Sequence, residues 1–155
     1  MTPTTLPVFA YQSIVLAYDG SHEGRTALCE GAELARLCNA TTHLLAVMRL
    51  PLGVSIGETF SAESMVRDAY EEAEAILQQG VAELKERGVT VEGYLRQGEP
   101  ITEIVNLAHE TKADLIVVGH RHRDGVSRWW HNPTGATLLD NVPCSVLVAC
   151  SASCE

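Results

Sequence analysis

Residues 115–118 read Leu-Ile-Val-Val, and residues 146–148 read Val-Leu-Val. Neither run is long enough for a helix. Neither alternates apolar with polar, as a strand with one wet face would. Strands covered on both faces by helices do show such runs, and that arrangement is the parallel α/β sheet. Residues 14–17, Ile-Val-Leu-Ala, make a third run of the same kind. Between the runs at 115–118 and 146–148 lies a polar stretch with Gly119, Gly125 and Pro133, then a short helix expected over 134–141. Strand, loop, helix, strand is a βαβ unit. Ligands of open parallel sheets sit outside the carboxyl ends of the strands. The loop after Gly119 is therefore the first place to look for chemistry.

The rest of the chain repeats the alternation. A strand expected over 13–18 ends in Asp19-Gly20-Ser21. Ser21 suits a helix N-cap and Glu23 the first turn. The helix runs to about residue 38, with Ala27, Leu28, Gly31, Leu34, Ala35 and Cys38 on one face. A second strand is expected over 42–48. The loop over 50–60, with Pro51, Gly53 and Gly57, is either a lid over the strand ends or a plain surface connection. Ser61 is expected to cap a long helix reaching residue 87. Its buried stripe is Val66, Ala69, Ala73, Ile76, Leu77 and Leu84, and its solvated face carries Glu71, Glu72, Glu74 and Glu83. Gly88 suits its C-terminal end. Residues 89–96 form a shorter, less apolar strand, expected at a sheet edge. Gly98-Glu99-Pro100 opens a third helix with Pro100 at its first position, and Ile101, Ile104, Val105 and Ala108 mark its stripe. Five strands alternating with four helices predict a Rossmann-like, three-layer α/β sandwich with a mainly parallel sheet. It spans residues 13–150, after a loose lead-in over 1–12 and before a tail over 151–155.

Composition bears mainly on what is excluded. The chain has 155 residues and a formal net charge of -9, from 11 Lys+Arg against 20 Asp+Glu. That balance argues against nucleic-acid binding, which runs on clustered cations. No apolar run approaches the ~20 residues of a membrane helix. Residues 1–12 hold no Lys or Arg, unlike the start of a signal peptide. Cys29, Cys38, Cys144, Cys150 and Cys154 are odd in number and widely spread, which suits reduced thiols in a cytoplasm. Cys144 and Cys150 stand too far apart along one strand to bridge each other. Cys150 and Cys154 are either simple small thiols or a site of oxidation near the tail. One segment departs from the acidic whole: 120–131 holds Arg121, Arg123 and Arg128 against Asp124, with His120, His122 and His131. A basic island at a strand end suits an anion such as phosphate, or else arginines solvated beside an acidic surface. The histidines suit a metal by type, but no acid or thiol joins them and the arginines would repel a cation, so no metal site is assigned.

Known site motifs are missing. The turn Asp19-Gly20-Ser21-His22-Glu23-Gly24 does not match the dinucleotide fingerprint G-x-G-x-x-G. No P-loop and no serine-hydrolase elbow occurs. Arg96-Gln97-Gly98 lacks the acceptor aspartate that a receiver domain carries after its third strand. No nucleophile stands with a base, and no pair of carboxylates points to one loop, so no catalytic residue is assigned.

Four segments, in this order and spacing, resemble the universal stress protein family in its single-domain bacterial form. They are the first strand with Asp19-Gly20-Ser21, Gly98-Glu99-Pro100 before a helix, residues 113–119 (Ala-Asp-Leu-Ile-Val-Val-Gly) and residues 142–148 (Val-Pro-Cys-Ser-Val-Leu-Val). The likeness covers about residues 13–149. It implies a cytoplasmic protein, usually a homodimer, here through the final strand at Ser145 to Cys150; an edge strand is suited to such pairing. Family members that bind ATP carry G-x2-G-x9-G-[ST] after the fourth strand, where glycine lets the backbone approach phosphate. Laid on this chain, the pattern puts Gly119 at the first glycine, His122 at the second, Asn132 at the third and Pro133 at the hydroxyl position, with Thr134 one place on. A frame using Gly125 and Gly135 leaves Gly119 unused. The loop looks more like that of the branch that does not bind ATP. Where a nucleotide does bind, the resemblance implies Asp19 on a ribose hydroxyl and Val47 against adenine. Ala17, Tyr18, Val118, Gly119 and Arg121 then join His122, Asn132, Pro133 and Thr134 around it. Three readings follow. The first is a non-catalytic stress-response module that meets a regulatory protein partner. The second is an ATP-binding member whose nucleotide gates that interaction, with at most weak hydrolysis. The third is an enzyme built on Asp19 and His120.

Overall fold

The computed structural model describes residues 10–49, 60–120 and 138–150. Nine elements alternate: β1 (Ser13–Ala17), α1 (His22–Cys38), β2 (Thr41–Met48), α2 (Phe60–Glu86), β3 (Thr90–Gln97), α3 (Pro100–Glu110), β4 (Leu115–His120), α4 (Leu138–Asn141) and β5 (Ser145–Cys150). The strands form one sheet in the order β3-β2-β1-β4-β5. Every pairing is parallel. The expected sandwich is present, and β3 is an edge strand as its weaker apolar character predicts.

Side-chain alternation splits the core in two. Ile14, Leu16, Leu44 and Val117 face α1 and α2, with Ala27, Leu28, Leu77 and Leu84 packed on them. Val15, Leu45, Ile116 and Val118 face α3, with Ile104, Leu107 and Leu138. Apolar residues on both sides of β1 and β4 are what two helical layers require, and they account for the unbroken aliphatic runs.

Several helix ends form as local chemistry dictates. The Ser21 side chain accepts a hydrogen bond from the Gly24 N–H at the start of α1. Pro100 opens α3, where Glu99 caps by accepting from the Thr102 N–H at 3.1 Å. Gly88 adopts φ +77° after α2, a left-handed geometry that glycine enters without a Cβ clash.

Four details differ from the sequence reading. Ser61 is not the cap of α2, because that helix already includes Phe60; packing of its later turns, more than one cap, sets its extent. Within that helix Val66 and Ala69 are only half-buried, and burial begins at Ala73. Glu83 is not on a solvated face: it is half-buried and pairs with Arg25 of α1 at 3.5 Å and with Arg87 at 3.3 Å. Gly119 does not end β4, which continues through Gly119 and His120 in register with Ala149 and Cys150 of β5. The expected helix over 134–141 is described only as Leu138–Asn141; residues 134–137 and Cys154 lie outside the described residues. No disulfide joins Cys29, Cys38, Cys144 and Cys150. Burial pushes the Cys144 thiol up from its ordinary value. Among the described residues no helix is long and apolar enough to cross a membrane.

Candidate functional site

The chain leaves β1 toward β2 on one side and later returns across the sheet to β4 on the other. The strand order therefore reverses between β1 and β4, and the crevice at their carboxyl ends is the place where open α/β sheets hold ligands. Ala17 and Val118 form its floor on the α3 face, both buried. Val47, near the end of β2, packs on the same face and is half-buried. Asp19 stands exposed just beyond β1.

The turn after β1 holds Asp19 in place. Its Oδ1 accepts from the Ser21 N–H at 3.0 Å and from the Ser21 hydroxyl at 2.5 Å. Ser21 Oγ in turn accepts from the Gly24 N–H at 3.0 Å. Among the described residues both bonds to Asp19 use Oδ1, so Oδ2 is left to accept from something else. Gly20 makes the turn at φ +77°, and a Cβ there would stand 3.2 Å from Ile76 Cγ1 of α2. At Gly24 a Cβ would come within 2.6 Å of Asp19 Oδ1. Gly24 is thus a residue of the site that the sequence reading missed. Gly24 follows directly on the Asp19-Gly20-Ser21 turn, and a second glycine so close to the strand end was the available signal.

Tyr18 points its side chain away from the α3 face of the crevice. Its backbone N–H donates to the Leu45 carbonyl at 2.9 Å. Alternation turns its side chain away from Ala17 and Val118, into the core under α1 and α2. The ring passes between Gly24 and Gly80, either of which would meet it if it carried a Cβ. The phenol is buried, with no hydrogen-bond partner among the described residues, and burial raises its pKa.

Gly119 also has a structural task. A Cβ at this position would overlap the backbone carbonyl of Glu23. The missing side chain lets the first turn of α1 close on the end of β4. His120 follows at the strand's end, half-buried. Arg121, His122, Asn132, Pro133 and Thr134 lie outside the described residues. Among the described residues no cluster of His, Cys, Asp and Glu could hold a metal ion.

The family model for the universal stress protein family matches residues 10–149. The chain belongs to the universal stress protein family. It is similar to the universal stress protein in the QAH/OAS sulfhydrylase 3′ region of Thermus aquaticus, at 32% identity over 89% of this chain and 98% of that protein. Among solved structures it is similar to a universal stress protein in complex with cAMP: 27% identity, TM-score 0.65, covering 90% of this chain and 97% of that one. It is likewise similar to the universal stress protein from Archaeoglobus fulgidus in complex with dAMP: 26% identity, TM-score 0.63, covering 90% and 98%.

Proposed function

We propose that this universal stress protein is a non-catalytic stress-response binding module whose crevice takes an adenine nucleotide. Asp19 carries the reading. A carboxylate fixed through Oδ1 by its own turn, with Oδ2 left over, is placed to accept from a ribose hydroxyl at the carboxyl end of β1. Val47 offers an apolar surface for the base. Two family members at similar identity hold cAMP and dAMP, and each of those ligands carries a single phosphate. The chain has His122 and Asn132 where the ATP-binding pattern has glycine, and Pro133 supplies neither hydroxyl nor N–H. A nucleotide with one phosphate therefore suits it better than ATP.

β5 is the sheet edge opposite β3, and we assign it to homodimer pairing, since a parallel sheet edge presents backbone groups to a second copy. A regulatory partner would then read the nucleotide state of the dimer in the cytoplasm.

Calorimetric titration with AMP, cAMP and Mg-ATP tests the reading. Binding of AMP or cAMP, abolished by Asp19→Ala, is the expected result. Tight Mg-ATP binding would establish a triphosphate switch in its place. No heat with any of the three would discard the nucleotide and leave a module that acts through its protein surfaces.

A further inference from the structure

His43 sits in the first half of β2, on the α3 face, between the buried Thr42 and Leu44, whose side chains alternate to the other face. It is 9% exposed. Its Nδ1 lies 3.2 Å from the Tyr94 hydroxyl of β3, and that hydroxyl donates to Glu92 Oε2 at 2.8 Å. A phenol has one proton to give. Because Glu92 receives it, the Tyr94 oxygen can only accept from His43, which places the imidazole proton on Nδ1. The neutral ring, in one tautomer, completes a chain from β2 through Tyr94 to Glu92. Glu92 Oε2 itself stands 3.8 Å from Nδ1.

The groups around His43 are few. On β3 they are Glu92, Tyr94 and Arg96. β1 presents Val15, directly opposite in register. α3 presents Ile104, Leu107 and Ala108. α3 carries the titratable residues Glu103, His109 and Glu110, and Glu110 is held by a two-pronged pair with Arg96 at 2.6 and 3.2 Å. The Arg96 guanidinium also lies 5.9 Å from the Tyr94 ring centroid. Glu92 favours a charged imidazole, but burial outweighs it and lowers the His43 pKa.

We propose that the His43–Tyr94–Glu92 chain is an acid-sensitive latch between β2 and the edge strand β3. An imidazolium at His43 is poorly hydrated while β3 is in place, with only about a tenth of its side chain exposed. β3 has a single neighbour in the sheet, so moving it aside is the least costly opening that hydrates the ring. The sign follows from linkage. The folded state binds its proton less readily than a free histidine does, so protonation favours the open form. The latch is fully closed above the free-histidine value of ~6.5 and weakens as pH falls from there through the lowered value. The latch is distinct from the crevice, since His43 and Val47 lie toward opposite ends of β2.

Hydrogen exchange of the whole protein at about pH 7.5 and about pH 5.5, on either side of the ~6.5 of free histidine, tests the latch. After correction for intrinsic rates, β3 amides are expected to lose several-fold protection at the lower pH relative to β1 and β4. His43→Gln should abolish that loss. Glu92→Gln removes the one charge favouring the imidazolium and should deepen it. An imidazole NMR titration gives an independent readout on the unmodified chain, with a midpoint below ~6.5 expected. A midpoint at or above that value, or an acid response unchanged in His43→Gln, would overturn the proposal.

Discussion

Strands β1 and β3 lie two places apart in one sheet and are made of opposite materials. β1 is Ser-Ile-Val-Leu-Ala, with every residue after the serine buried. β3 is Thr-Val-Glu-Gly-Tyr-Leu-Arg-Gln, with no residue fully buried. β1, flanked by two helical layers, buries apolar side chains on both faces, and its polar chemistry lies in the turn beyond it, at Asp19. An edge strand has water along one side, so Glu92, Tyr94 and Arg96 can sit within it and reach His43 on the neighbour. In the centre, backbone and glycine set the geometry; at the edge, side chains do.

The strongest way to break this contrast is to truncate one leucine in each place. Leu16→Ala on β1 should cost about 4 kcal/mol, and Leu95→Ala on β3 about 2 kcal/mol or less, because a half-exposed site leaves a smaller cavity. Urea unfolding with equal slopes would measure both, and equal losses would remove the distinction between centre and edge. The glycines sharpen it. Gly119→Ala meets the Glu23 backbone, which cannot yield without moving α1, so a loss of about 2 kcal/mol is expected. Gly93→Ala on β3 meets Val81 Cγ2 at 3.0 Å and Leu77 Cδ1 at 3.4 Å. Those side chains can shift, and the change should stay within about 1 kcal/mol.

A smaller effect is expected at Asp19. Asp19→Asn keeps an acceptor for Ser21, so its thermal midpoint should match the parent's, while Asp19→Ala should lose about 1 kcal/mol from the turn. If Asn destabilises as much as Ala, the charge rather than the turn geometry is what holds that end of β1. The smallest effect belongs to Glu110. Its hydrogen bond to Arg96 holds its carboxyl below the usual range. Any stability it adds is therefore present above the unfolded carboxylate value and lost as pH falls through the lowered one. The pair is exposed and salt-screened, so Glu110→Gln should barely move the urea midpoint at neutral pH. A clear shift would mean that the side chains of β3 bind it to α3 more firmly than the contrast allows.

Much of the architecture was legible in residue order. The unbroken runs at Ile14 and Leu115 are strands covered on both faces, whereas the run at Val146 is an edge strand whose Val146, Leu147 and Val148 are only half-buried. Ser21, Glu99-Pro100 and Gly88 marked helix ends by chemistry that acts within a few residues. The weak apolar character of residues 89–96 placed the third strand at an edge. Asp19 was reached through the family resemblance carried in part by Asp19-Gly20-Ser21 at the end of the first strand.

The other features arise from contacts between segments far apart in sequence. Nothing local indicates that Gly119 faces the Glu23 carbonyl, or that Gly24 and Gly80 flank Tyr18 from two different helices. Glu83 reads as one more acid on a solvated helix face until α1 brings Arg25 against it. The proton on His43 Nδ1 depends on Tyr94 and Glu92, about fifty residues away, meeting it across the β2–β3 ladder. The sequence by itself determined which segments become strands and helices, because those preferences rest on period and on the nearest few residues. Only the tertiary structure decided which atoms meet, because close packing and hydrogen-bond direction depend on the register of one strand against the next.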